Sequence, residues 1–304
     1  MGTTASGRPL AVIGAGAIGL ALAAAFARGG REVIVCGGTR FERIEVTEAG
    51  AVEQWPVRHA ETPGDLAEAD TAVLAVKAHH TEAAATWLRA LARPEVRLLV
   101  AQNGVEHRER VAPYAGPAQI VPAIVYLNVE RSAPGRALVR HAGTRDLALP
   151  DEDAARDLAP ELAAGGLRVE LETDLRTVAW AKLLTNITLN PLTALTGRRV
   201  DVVRDPGVGG IALQLMLEAA QVARAEGAQL GPDDAHAALT WLENVPAGAP
   251  TSMLQDLLAG RPLEYDALTG AVIRAAERHG IEVPVNRMVL ALLAAIRPEE
   301  LHTR

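Results

Sequence analysis

The stretch Ala11-Val12-Ile13-Gly14-Ala15-Gly16-Ala17-Ile18-Gly19 decides the fold of this chain. An apolar strand runs into a G-x-G-x-x-G loop, the alanine-rich segment 20–27 that follows is helical, and residues 32–35 supply the next strand. In that context Gly14 allows a sharp turn, Gly16 lets a pyrophosphate approach the backbone, and Gly19 lets the helix pack on the strand. The helix start favours an anion. We therefore predict that a dinucleotide is bound by Gly14, Ala15, Gly16, Ala17, Ile18 and Gly19.

The overall composition restricts the class of protein. A chain of 304 residues suits two domains, and a formal net charge of −7 argues against a nucleic-acid partner. The single cysteine, Cys36, excludes an internal disulfide and fits a reducing compartment, so we expect a cytoplasmic protein. We expect no membrane partner and no metal, because the sequence has neither a membrane-spanning apolar run nor a histidine or cysteine cluster with metal-ligand spacing.

The pattern of strands and helices changes near residue 174. Before it, continuous apolar runs at 71–76 and 97–102 are typical of parallel strands covered on both faces. Shorter strands, expected at 120–126, 137–141 and 146–149, would extend the same sheet, partly antiparallel. Beyond Asp174 helical patterns are broken by prolines, Pro191 among them. The sequence predicts an α/β Rossmann-type dinucleotide-binding domain over 1–173 and an all-α substrate and catalytic domain over 174–304.

Polar residues follow two of the predicted strands. Lys77 comes after one apolar run, and Asn103-Gly104 comes after the next. The carboxyl ends of parallel strands form the ligand crevice of such a sheet, which places both residues where a nicotinamide ring would lie. The alternative is a solvated lysine in one loop and a simple turn in the other.

A polar stripe is predicted on one helix of the second domain. Lys182, Asn186 and Asn190 are spaced by four residues and therefore share a face of an otherwise apolar helix. Asparagine is unfavourable inside helices, so two of them below a lysine suggest binding. The alternative is an ordinary solvent face, with Asn190 ending the helix before Pro191.

Two further candidates lie at predicted helix starts. The sequence Ser252-Met253-Leu254-Gln255 has the form of a capping box, so Ser252 is expected to be an N-cap, and the same helix start is also suited to a substrate carboxylate. Glu264 precedes a helix over 267–279, where the simplest interpretation is an acid favoured by the helix dipole.

These motifs together resemble the ketopantoate reductase (2-dehydropantoate 2-reductase) family. The matching segments are 14–19, 76–78, 102–104, 182–193, 252–256, 260–266 and 279–284. The resemblance implies NADPH-dependent reduction of a 2-keto acid to a 2-hydroxy acid, ketopantoate to pantoate, in pantothenate biosynthesis. It implies that Lys182 is the general acid and that Glu264 orients it. It also implies substrate or nicotinamide contacts from Asn103, Asn186, Asn190 and Ser252, with Lys77 lining the same site. We further expect a homodimer.

Two positions depart from the family pattern. Cys36-Gly37-Gly38 stands where an arginine for the 2′-phosphate often follows the second strand, and Ala249 replaces a substrate-binding asparagine. No carboxylate stands at the end of this strand to repel a 2′-phosphate, so we expect NADPH, with Arg40 and the neighbouring Thr39 at that phosphate. A solvated Arg40 is the alternative. The alternative functions are reduction of a different 2-keto acid in a specialised pathway and nucleotide sensing without turnover, which Lys182 and Glu264 argue against.

Overall fold

The computed structural model describes residues 7–141, 143–248 and 250–298 and divides the chain into two units, Met1–Leu175 and Arg176–Arg304. The strands are β1 (Leu10–Ile13), β2 (Val33–Cys36), β3 (Arg43–Glu48), β4 (Ala51–Pro56), β5 (Arg58–Ala60), β6 (Thr71–Leu74), β7 (Arg97–Val100), β8 (Gln119–Pro122), β9 (Ile124–Val125), β10 (Asn128–Ala133), β11 (Arg136–Arg140), β12 (Leu147–Pro150) and β13 (Val169–Glu172). The helices are α1 (Ala17–Arg28), α2 (Ala85–Ala90), α3 (His107–Ala115), α4 (Asp153–Ala164), α5 (Leu175–Thr196), α6 (Pro206–Ala225), α7 (Pro232–Glu243), α8 (Ser252–Leu258), α9 (Ala271–His279) and α10 (Pro284–Ala295). The predicted fold class, an α/β Rossmann-type unit followed by a helical one, is confirmed.

A six-stranded parallel sheet organises the first unit. Its order is β5-β2-β1-β6-β7-β8. Side chains alternate across it, so that Val12 and Val35 pack with α1 and α4 on one face, whereas Ile13 and Leu74 pack with α2 on the other. Because β1 pairs in parallel register with both β2 and β6, the segments that follow these strands leave the sheet at the same edge.

Two smaller sheets correct one expectation. β8 does extend the large sheet, but β11 joins a four-stranded sheet of order β10-β11-β3-β4, and β12 lies between β13 and β9 in a third sheet. The prediction of one extended sheet was therefore wrong for β9, β11 and β12. The hairpin formed by β3 and β4 offers β11 a parallel partner, with Ala137 opposite Val46, and the sequence pattern does not reveal that hairpin.

Pro191 does not interrupt the helical pattern of the second unit. Helix α5 continues through it to Thr196, so the predicted break was wrong. The Thr193 hydroxyl donates to the carbonyl oxygens of Leu189 at 2.7 Å and Asn190 at 3.1 Å, which adds side-chain bonds to the helical turn around the proline. Other prolines mark helix starts as expected, since α6, α7 and α10 begin at Pro206, Pro232 and Pro284.

Candidate functional site

Three glycines shape the turn between β1 and α1, and each has a different steric reason. Gly14 has a φ of +99°, and a Cβ there would lie 2.5 Å from the Val76 backbone nitrogen. A Cβ on Gly19 would lie 1.9 Å from the Gly14 carbonyl oxygen. A Cβ on Gly16 would meet no described atom within 4 Å. The fold therefore requires glycine at two of these positions, and the third keeps the space before the helix open.

The start of α1 is built to receive an anion. Gly16 is its N-cap, no side chain of the described residues caps it, and its first turn contains no acidic residue. The first intrahelical bond runs from the Leu20 N–H to the Gly16 carbonyl oxygen at 2.9 Å. The N–H groups of Ala17, Ile18 and Gly19 precede that bond and point from the positive end of the helix dipole. This arrangement fits the pyrophosphate of a dinucleotide.

Lys77 and Asn103 lie at the ends of neighbouring strands. Each is half-buried and follows its strand, β6 or β7, in a register that pairs Leu74 with Val100. Gln102 joins the two loops, because its Nε2 donates to the Val76 carbonyl oxygen at 3.0 Å and to the Thr81 hydroxyl at 2.9 Å.

Side chains of helix α3 hydrogen-bond to the loop after β7. Arg110 Nη1 donates to Gln102 Oε1 at 3.3 Å and to the Asn103 carbonyl oxygen at 3.4 Å, and His107 Nε2 lies 2.9 Å from the Gln102 carbonyl oxygen. Sequence analysis missed these hydrogen bonds around Gln102, which we call the Gln102 frame. The only local sign of the frame was a glutamine directly before Asn103, and the structure shows that this glutamine is buried.

The carboxyl end of β2 carries a charge pair that sequence analysis did not foresee. Gly37 and Gly38 follow the strand with φ values of +69° and +75°, and Thr39 and Arg40 beyond them are exposed. Arg40 Nη2 donates to Glu61 Oε1 at 3.0 Å. No carboxylate directly follows β2, but the structure brings Glu61 to Arg40 from the end of β5.

Lys182, Asn186 and Asn190 share one face of α5, as the spacing predicts. Lys182 and Asn186 are half-buried and Asn190 is buried, so the alternative of an ordinary solvent face is wrong for Asn190. Burial lowers the pKa of Lys182 from its ordinary 10.5 to about 8, because a low-dielectric environment disfavours the ammonium form. A lysine with this pKa is suited to give up a proton near neutral pH.

Lysine is scarce in this chain. Lys77 and Lys182 are the only two lysines in the sequence, and every other basic side chain apart from histidine is arginine. Arginine cannot lose its proton under ordinary conditions, whereas a lysine ammonium shifts its pKa readily when it is buried. The two positions that keep lysine are both predicted site residues.

Asn190 and Thr193 of α5 fasten the start of α8, and we call these contacts the α5–α8 joint. Asn190 Oδ1 accepts from the Ser252 hydroxyl and from the Met253 N–H, each at 3.1 Å. The hydroxyl oxygens of Thr193 and Thr251 are 2.6 Å apart. Asn190 does not end α5, which continues to Thr196, and both of these bonds are made by its Oδ1.

Thr251 rather than Ser252 is the N-cap of α8. The Thr251 hydroxyl accepts from the Leu254 N–H at 3.1 Å. The expected cap was wrong by one residue, because Ser252 turns to Asn190 and is already helical. The N–H groups of Met253 and Leu254 donate to Asn190 Oδ1 and to the Thr251 hydroxyl, each at 3.1 Å. Ala249 lies outside the described residues.

Glu264 is a buried carboxylate, not an exposed acid at a helix start. Its exposed fraction is 5%, and it precedes a π-helical turn, Asp266–Gly270, which leads into α9. Single π turns inside helices occur often at functional sites. A buried carboxylate needs a partner for its charge, which fits the predicted role beside a lysine better than a helix-dipole contact alone.

The chain matches two family models and several known proteins over most of its length. The family model described as Ketopantoate reductase PanE/ApbA matches residues 10–153, and that described as Ketopantoate reductase PanE/ApbA C terminal matches residues 174–297. A 2-dehydropantoate 2-reductase from Mycobacterium tuberculosis is 36% identical over 290 residues, which are 94% of this chain and 97% of the relative. The chain belongs to the ketopantoate reductase family.

Further members of the ketopantoate reductase family match over nearly their full length. The 2-dehydropantoate 2-reductase of Caulobacter vibrioides is 37% identical over 94% of this chain and 98% of its own. The crystal structure of a family member from Ralstonia eutropha JMP134 has a TM-score of 0.86 and 31% identity, covering 97% of this chain and all of that one. A D-mandelate dehydrogenase structure with NADH shares the fold at 20% identity and a TM-score of 0.85, over 97% of this chain and 99% of that one. The chain is thus an oxidoreductase.

The described residues contain neither a cluster suited to a metal ion nor a helix suited to crossing a membrane. Within the described ranges, no cluster of three or more histidine, cysteine or acidic side chains could hold a metal ion. None of the helices described is long and apolar enough to cross a bilayer.

Proposed function

We propose that this ketopantoate reductase family member uses NADPH to reduce a 2-keto acid to a 2-hydroxy acid in the cytoplasm, most specifically 2-dehydropantoate to pantoate. The observation that carries the proposal is Lys182, one of two lysines, held half-buried with its pKa lowered to about 8. Reduction of a carbonyl needs a proton donor as well as a hydride donor, and this ammonium suits the first role.

The first unit supplies the cofactor site. The bound dinucleotide supplies the hydride that reaches the keto carbon. The N–H groups of Ala17, Ile18 and Gly19 hold its pyrophosphate, and the open space at Gly16 lets that group approach. Lys77 and Asn103, at the ends of β6 and β7, contact its nicotinamide end. The frame around Gln102 keeps their loops in place.

The second unit supplies the proton and the substrate contacts. As the keto carbon accepts hydride, its oxygen gains negative charge, and Lys182 Nζ stabilises that charge and transfers a proton to the oxygen. The lysine becomes a neutral amine, which its buried environment tolerates. Glu264 pairs with Lys182 and orients it. Asn186, the Nδ2 group of Asn190 and the Ser252 hydroxyl hold the substrate without competing as acids.

The preference for NADPH rests on the end of β2. NAD-binding sheets usually have an acidic residue there to accept hydrogen bonds from the ribose 2′-hydroxyl, and this strand is followed by Gly37 and Gly38. Arg40 is the cation nearest in sequence, and its planar guanidinium matches phosphate oxygens. Thr39 adds a hydroxyl beside it.

Ala249 bears on the choice of substrate. Ala249 lacks the amide of the asparagine that the family pattern places there, so a 2-keto acid without a 4-hydroxyl is the second candidate substrate. A lost hydrogen bond to a substrate hydroxyl costs about 1 to 3 kcal/mol of discrimination. We also propose a homodimer, which is supported by a solved ketopantoate reductase from Staphylococcus aureus that is described as dimeric.

The direct test measures NADPH oxidation against 2-dehydropantoate, its 4-deoxy analogue and a panel of simple 2-keto acids. We expect turnover with 2-keto acids and a loss of roughly 100-fold or more in Lys182→Ala, the usual scale for general acid catalysis. Calorimetric binding of NADPH with no turnover of any 2-keto acid would favour the nucleotide-sensing alternative. A preference of several orders of magnitude for 2-dehydropantoate over the deoxy analogue would contradict the role given to Ala249.

A further inference from the structure

The Arg40–Glu61 ion pair lies at the edge of the sheet where this fold binds the adenosine ribose. β2 and β5 are parallel, and Cys36 is opposite Ala60 in their register. Gly37 and Glu61 are therefore the next residues as the two strands leave the sheet. Arg40 Nη2 donates to Glu61 Oε1 at 3.0 Å, and both side chains are about two-thirds exposed or more, at 67% and 72%. The pair stands open to an incoming ligand.

We propose that Glu61 sets the cofactor selectivity of this site by competing with the 2′-phosphate for Arg40. This inference rests on the proposed NADPH-dependent function. A phosphate monoester and a carboxylate present the same kind of anionic oxygen acceptors to a guanidinium. NADPH must therefore displace or share Glu61 at Arg40, and the carboxylate then stays close to the phosphate with a charge of the same sign. NADH carries a neutral 2′-hydroxyl and leaves the pair intact.

The arrangement differs from an acidic residue at the end of β2. Such a residue reaches the ribose 2′-hydroxyl itself and favours NADH by direct contact. Glu61 instead follows β5 and is bound by Arg40, so its effect is to weaken the binding of the 2′-phosphate by Arg40. Exposed ion pairs contribute up to about 1 kcal/mol, which limits the expected change in NADPH affinity to about fivefold.

The test compares Glu61→Gln with Glu32→Gln in the full-length protein. Glu32 forms an equivalent exposed pair with Arg58, also at 3.0 Å, at the amino ends of the same two strands. Four strand residues separate the two ends by roughly 13 Å, beyond a Debye length of about 8 Å at physiological salt. Both variants remove one negative charge from one strand pair, but only the first removes it beside Arg40.

Isothermal titration calorimetry without substrate gives the Kd of NADPH and of NADH for each variant. We expect Glu61→Gln to bind NADPH about two- to fivefold more tightly and Glu32→Gln to change the NADPH Kd by less than about twofold. The gain in NADPH affinity of Glu61→Gln should shrink in 1 M salt. Arg40→Ala should weaken NADPH and leave NADH nearly unchanged.

Three outcomes would overturn the inference. An NADPH Kd for Glu61→Gln equal to that of Glu32→Gln would show that Glu61 does not compete. A selective loss of NADH affinity in Glu61→Gln would show that Glu61 contacts the ribose hydroxyl directly. If the wild-type protein bound neither dinucleotide, the proposed function would fail together with the inference, whereas the first two results leave that function standing.

Discussion

The glycine loop of the first unit and the α5–α8 joint of the second both hold groups in place, but by opposite means. At the loop, side-chain atoms are excluded: a Cβ on Gly19 would lie 1.9 Å from a carbonyl oxygen. At the joint, directional bonds between side chains and backbone do the work, and Asn190 alone accepts two of them. The loop therefore fails when an atom is added, and the joint fails when an atom is removed.

The largest expected effect comes from adding a methyl group to the loop. Gly19→Ala should lower the free energy of unfolding by about 3 kcal/mol or more, because its neighbour is backbone and cannot move away cheaply. Gly16→Ala is the matched control, with open space at its Cβ. It should keep the melting temperature and weaken dinucleotide binding by roughly tenfold. Equal free energies of unfolding for the two variants, measured by denaturant titration, would contradict the steric account.

Substitution of Glu264 tests whether catalysis by the second unit depends on a buried charge as well as on hydrogen bonds. Glu264→Gln keeps the shape and removes the carboxylate charge, so we expect kcat to fall by about tenfold or more with little change in melting. Asp266→Asn is the control, since Asp266 is an exposed acid in the adjacent turn that pairs with Arg274 at 2.7 Å. Unchanged kinetics with a slightly lower melting temperature in Glu264→Gln would show that Glu264 only interacts with the helix dipole. That interaction stabilises the fold by about 0.3 to 1 kcal/mol.

A smaller effect on stability than that of Gly19→Ala is expected when side chains of the α5–α8 joint are shortened. Asn190→Ala removes the acceptor for Ser252 and leaves the buried Met253 N–H without its bond, which should cost about 1 to 3 kcal/mol of unfolding free energy. Ser252→Ala removes one bond and keeps the other, so its cost should be about 1 kcal/mol or less. If Ser252→Ala were the more destabilising change in urea titrations, the bonds to Asn190 would not be what holds α8.

The contrast between loop and joint also explains how far the sequence could be interpreted. The loop lies within six consecutive residues, so the spacing of its glycines can be recognised in the sequence alone. The joint links residues 62 and 58 positions apart, and nothing near Ser252 indicates that Asn190 accepts its proton. The Arg40–Glu61 pair was missed for the same reason, because its two residues are 21 positions apart and follow different strands.

The most direct test of the account is the titration of Lys182 itself. With only two lysines in the chain, ¹³Cε-lysine labelling gives two side-chain signals, and Lys77→Arg identifies the one from Lys182. We predict a midpoint of about 8, and a kcat/KM that is highest below this pH and falls about tenfold per pH unit above it, since the protonated form is the donor. A Lys182 midpoint near the ordinary 10.5 would contradict the claim that burial prepares this lysine to be the proton donor.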